Sequence, residues 1–208
     1  MGTRAAADVE PAIDVSGLPP YAFGHRSVIW WGTFGMIAIE STVFALGIAA
    51  YYYLRSHTPE WPPAPLAPPE LRWGTLNTAI MLVSCIPNLL YQRAARRFEL
   101  GRTRLWLLVA LVLAIAFVVV RWVEFTTLNC RWSASAYGSI VYFLMGLHTT
   151  HLVTDLLDSL VLAALFWSSK IEAKRFVDLS ENADYWYFVV LAWLPIYATI
   201  YWAPRLLR

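Results

Sequence analysis

Long apolar runs separated by short polar stretches dominate the chain. A helix that crosses a bilayer core needs about 20 mainly apolar residues. Five runs meet or approach that length: about 27–54, 75–91, 105–120, 136–167 and 185–202. The third has no polar residue between its ends, and the fourth is long enough to tilt or protrude. Backbone groups in lipid must be hydrogen-bonded internally, and no paired strand pattern is available to close a barrel. The expected fold is therefore an all-α, polytopic membrane protein with five transmembrane helices. Residues 1–27 read as a polar N-terminal segment without a cleavable signal, and 28–208 as one membrane domain without internal repeats.

Composition agrees with lipid as part of the solvent. Of 208 residues, 59% are hydrophobic and 14% charged, against roughly a quarter charged in soluble domains. The 11 Trp, 11 Tyr and 10 Phe supply material for interfacial aromatic belts. A net charge of +2 gives no reason to expect a nucleic-acid partner. Basic residues in short loops orient the spans. Arg93, Arg96, Arg97, Arg102 and Arg104 follow the second run, and Lys170, Lys174 and Arg175 follow the fourth. These loops and the N-terminus are expected on the cytoplasmic side of a prokaryotic inner membrane, with the C-terminus outside. Arg205 and Arg208 run against that bias. The segment Pro62-Pro63-Ala64-Pro65-Leu66-Ala67-Pro68-Pro69 reads as an extended, semi-rigid external connection. Gly138, Ser139 and Gly146 are candidates for close helix approach.

Redox and metal signatures are sparse. Cys85 and Cys130 have no CxxC or zinc spacing, and there is no CxxCH. A haem b site needs axial histidines on facing helices. His148 and His151 share one run, while His25 and His57 lie at or beyond span ends. No cofactor is expected in this chain.

Ionisable groups inside the spans are costly, and each is a candidate functional site. Glu40 lies mid-way along the first run, either as a neutral group hydrogen-bonded to another helix or as a proton-exchanging or lipid-facing one. Its expected partner is His148 or His151, at comparable depth. Arg121 and Glu124, three apart, are expected to form an ion pair at the membrane interface. His148, His151, Asp155 and Asp158 follow 3-4-3 spacing and fall on one helical stripe. That stripe reads as an interhelical hydrogen-bond seam, a lipid-headgroup or proton-linked site, or a transition-metal site.

These residues also carry a resemblance to subunit III of the haem-copper respiratory oxidases, the cytochrome c and quinol oxidase family. The stretch from Gly35-Met36 through Glu40-Ser41 to Ala50-Tyr51 resembles the family's first shared span. Leu76-Asn77-Thr78 and Tyr137-Gly138-Ser139 match family elements. Glu124-Phe125 resembles the end of Gln-x-x-Glu-Tyr, with Arg121 at the Gln position. Gly146-x-His148-x-x-His151 resembles Gly-Phe-His-Gly-Leu-His. Tyr185-Trp186-Tyr187-Phe188-Val189 resembles Tyr-Trp-His-Phe-Val, and Tyr201-Trp202 the terminal Tyr-Trp. Tyr187 and Val190 stand where the family has His and Asp, and Asp155 where it usually has Gly. The lost and gained acids suggest relocated polar partners between the fourth and fifth spans.

The resemblance is to the short five-helix prokaryotic form, which lacks the first two of seven helices. It implies a non-catalytic subunit of a terminal oxidase that reduces oxygen to water with proton pumping. Such a subunit packs beside subunit I, with subunit II in the complex, and haem and copper belong to those partners. It holds phospholipid in a cleft between helix bundles and supports proton uptake. Two alternatives remain: an accessory subunit of a nitric oxide reductase with the same fold, and a stand-alone proton-coupled transporter.

Overall fold

The computed structural model describes residues 21–168 and 171–206; most of the polar segment expected over 1–27 lies outside them. All regular structure among the described residues is helical. The five long helices are α1 (Val28–Ser56), α2 (Leu71–Arg96), α3 (Leu100–Thr126), α4 (Ala136–Phe166) and α5 (Ala173–Tyr197). A π-helical turn, Ala198–Trp202, and a final turn, Ala203–Leu206, extend α5. All five are long and apolar enough to cross a membrane. The chain is a multi-pass membrane protein.

Helix ends depart from the expected spans. α2 and α3 run past both ends of their apolar runs, and α5 begins at Ala173 rather than near 185. Asp178, Ser180, Glu181, Asn182 and Asp184 masked that start, because they turn towards α1, α2 and α4. Helices start where capping chemistry permits: Ser27 accepts from the Ile29 amide at 3.2 Å, and Ser135 from the Gly138 amide at 3.1 Å.

α2 to α5 form the packed bundle, and α1 rests on α4 and α5 at its edge. Only Phe44, Gly47 and Tyr51 of α1 are buried. One core, around Met81, Phe117, Leu144, Trp186 and Trp193, fills the middle. A second, with Tyr91, Leu107, Phe166 and Phe176, fills the end that carries the α2–α3 turn.

Within this chain, close helix approach occurs at Gly74 and Gly47. A Cβ on Gly74 would lie 2.6 Å from the Tyr201 ring, and one on Gly47 would lie 2.8 Å from Leu144. Gly146 faces open space, and Gly138 abuts the Arg131 carbonyl of its own preceding loop. The proline segment is not simply extended. It turns at Pro63–Leu66 (2.9 Å), and Trp61 packs edge-on against Tyr51 and Tyr137, with ring centroids 5.3 and 5.1 Å apart.

Candidate functional site

A polar seam joins α2 to α5. Trp193 donates to Thr78 (2.8 Å), Trp186 to Ser84 (3.0 Å), Asn88 to the Ala183 carbonyl (3.0 Å), and Gln92 to Asp184 (2.6 Å). Residues 77, 81, 84, 88 and 92 recur at helical spacing and are buried. Polar groups in hydrocarbon are tolerated when they bond across helices, and here they fix the α2–α5 register.

Arg121 and Glu124 form a pair with both side chains buried in the bundle. They are 1% and 0% exposed, and their closest N–O distance is 2.9 Å. Arg121 is held inward because its guanidinium lies over the Trp193 ring, 3.9 Å from the centroid. Glu124 also accepts from Asn77 at 2.9 Å and from the Tyr201 hydroxyl. Donors from α2, α3 and the π turn thus converge on one carboxylate, as a buried charge requires.

His148 joins this core network. Its Nε2 lies 3.0 Å from the Val189 carbonyl, which can only accept, so Nε2 carries the proton. Its Nδ1 is 3.4 Å from Arg121 Nη2 and accepts there. Both ring nitrogens are engaged and the imidazole is neutral. It makes no contact with Glu40.

His151, one turn on, faces α1 instead. Its Nδ1 is 2.7 Å from the Leu147 carbonyl and therefore donates. Its Nε2, 3.5 Å from Glu40 Oε1, is left with a lone pair in the neutral ring. Glu40 Oε1 thus faces the free ring nitrogen of His151 across the α1–α4 seam. Tyr185 donates to the other carboxyl oxygen, Oε2, at 2.9 Å.

Asp155 and Asp158 point towards α5, where Asn182 Nδ2 reaches them at 3.3 and 3.1 Å. The α4 stripe therefore serves three separate neighbourhoods. Among the described residues no three His, Cys, Asp or Glu side chains are grouped to hold a metal ion. Asp155 and Asp158 thereby link α4 to α5. They do so eight residues from Val190, about 12 Å along the helix.

Glu40, Asp155 and Asp158 line one cleft of about 510 Å³ between α1, α4 and α5. Asp178, Glu181, Asn182 and Tyr185 complete its α5 wall, and Ile29 and Met36 give α1 an apolar wall. Both Glu181 carboxylate oxygens are shielded from solvent, without a hydrogen-bond partner among the described residues. The α5 group was legible as an i, i+3, i+4, i+7 stripe. Asp178, Glu181 and Asn182 were missed because the expected fifth span began only at 185.

A family model described as "Cytochrome c oxidase subunit III" matches residues 23–204. The chain belongs to the haem-copper oxidase subunit III family. A "Probable cytochrome c oxidase subunit 3" of Nocardia farcinica is 27% identical over 185 residues, covering 87% of this chain and 91% of that protein. A "Cytochrome bo(3) ubiquinol oxidase subunit 3" of Pseudomonas aeruginosa is 29% identical over 165 residues, 78% of each chain. A "Cytochrome c oxidase subunit 3" of Synechocystis sp. is 27% identical over 183 residues, covering 86% of this chain and 77% of that one. As a subunit III, this chain is one part of an oxidase complex and has partner subunits.

Proposed function

We propose that this chain is the non-catalytic subunit III of a prokaryotic terminal oxidase that reduces oxygen to water and pumps protons. It packs against subunit I, with subunit II in the same complex, and those subunits carry haem and copper. It sits in the inner membrane with its N-terminus cytoplasmic and its C-terminus outside. Its own work is to stabilise subunit I, hold phospholipid and support proton uptake.

The observation that carries the modulatory part is the α1–α4–α5 cleft. Its acidic wall meets the apolar face of α1, which suits an amphiphile whose polar head meets α4 and α5. Glu40, with His151 at 3.5 Å, is the cleft's proton-linked group. Arg121 and Glu124 hold the bundle together and take no part in the cleft.

Purification of the tagged complex tests the reading. Haem absorption and oxygen uptake should accompany this chain, and its deletion should shorten the turnover lifetime of the remaining oxidase. A chain that purifies without any haem protein overturns the assignment and favours a stand-alone transporter. Co-purification with nitric oxide reduction and no oxygen reduction overturns it in favour of the reductase.

A further inference from the structure

The turn between α2 and α3 builds a basic hollow that the cleft does not use. Its volume is about 440 Å³, with Leu90, Arg93 and Arg97 on the α2 side and Glu99, Arg102 and Trp106 on the α3 side. Neighbouring cations are already engaged. Arg96 reaches Ser180 at 3.1 Å and Asp184 at 3.7 Å, and Arg104 donates twice to the Phe166 carbonyl, at 2.8 and 2.6 Å. Arg102 holds Glu99 at 3.1 Å. Arg93 and Arg97 are exposed, with no side-chain hydrogen bond or carboxylate partner among the described residues. Three guanidinium groups therefore face one carboxylate. The first amides of α3 add to the positive field, because Glu99 makes no side-chain cap.

The hollow also has an apolar continuation. Trp106 lies one turn beyond Arg102. Ile86 and Val83 extend the Arg97–Arg93–Leu90 face of α2 down the span, and both are exposed. On α3, exposed Leu105 and Val112 run alongside. A free anion needs only the arginines, whereas an amphiphile uses the whole groove. We propose that the hollow binds the phosphate of an anionic phospholipid, with Arg93 and Arg97 as its principal ligands and the acyl chains along Ile86 and Val83. This site lies on a different face from the cleft. It rests on the membrane-spanning fold rather than on the oxidase reading.

The test is native mass spectrometry of the intact complex, titrated with phosphatidylglycerol against phosphatidylcholine. Each arginine near an anionic surface is worth about fivefold in binding. Arg93→Gln with Arg97→Gln should therefore lower the phosphatidylglycerol preference about 25-fold. Arg131→Gln, in the α3–α4 loop, should leave it unchanged. Raised salt should weaken retention, and millimolar inorganic phosphate should not displace the lipid. If the double variant does not assemble, Arg97→Gln alone is read for the fivefold loss. Undiminished preference in the variant overturns the site. Displacement by inorganic phosphate shows a free-anion site and overturns the lipid. Loss of a partner subunit with unchanged lipid shows an acidic protein segment as the occupant. Absence of haem from the complex would sink the oxidase reading and leave this result standing.

Discussion

Tyr185 donates to Glu40 Oε2 at 2.9 Å, across the seam between the peripheral helix α1 and the bundle. With His151 at 3.5 Å from Oε1, it gives Glu40 a partner for each oxygen. The geometry separates the two natural substitutions at this position. In Glu40→Gln the amide oxygen still accepts from Tyr185 and the amide nitrogen donates to the His151 lone pair, so assembly and thermal stability should stay close to the parent. Glu40→Ala leaves both partners unsatisfied and should cost about 1–3 kcal/mol. Thermal unfolding of the purified complex reads the difference. A Gln variant that fails while the Ala variant behaves like the parent would show that the charge matters and that the shared hydrogen bond does not.

Gly74→Ala should be damaging where Gly146→Ala is not. The first places a methyl 2.6 Å from the Tyr201 ring, and the second enters open space. Displacing Tyr201 also removes a donor from Glu124. Overpacking of this kind costs about 1–3 kcal/mol. Equal thermal stability of the two variants would mean that Tyr201 moves without loss.

Much of the bundle was legible because lipid imposes a simple rule on length and polarity. The run 105–120 is uninterrupted, and α3 forms around it. The rule fails where helices leave lipid or shelter polar groups against each other. Asp178, Glu181 and Asn182 looked like loop residues because α1 and α4, which they face across the cleft, are not their neighbours in sequence. The same holds for Asn88 and Gln92, which bond to α5 more than 85 residues away. The spacing of His148 and His151 fixed a shared helix side. It did not reveal that a three-residue step sends one ring into the core and the other towards α1. Nor could local sequence reveal that Trp193 covers Arg121 and draws its ion pair inward.

Cys130 lies in the α3–α4 loop, and burial pushes its thiol from 9.0 up to about 11. Because the folded value lies above the unfolded one, the folded state holds this proton more tightly. Its stabilising contribution is complete below about pH 9 and is lost as pH rises through about 11. The thiolate is the reactive form. In a Cys85→Ser background, iodoacetamide labelling of the folded complex should be slow at pH 8 and rise about tenfold per pH unit towards 11. Labelling that levels off near pH 9 would show an unshifted thiol.

The Arg121–Glu124 pair gives the sharpest test of the core network. Both side chains are fully buried, so removing one leaves the other as an uncompensated charge, at about 3–5 kcal/mol. Arg121→Ala should therefore abolish or sharply reduce assembly. Arg121→Gln should be milder, since an amide still donates to Glu124. Combining Arg121→Gln with Glu124→Gln removes both charges, and the one amide oxygen at position 124 still accepts from either Tyr201 or Asn77, which reach different carboxylate oxygens. The double variant should be more stable than the sum of its singles predicts, with a coupling of at least about 1 kcal/mol, as contacting residues in one network show. Thermal unfolding of the four complexes measures that coupling. Strict additivity would mean that the two groups do not sense each other's charge, and that Trp193, Asn77 and Tyr201 hold them independently.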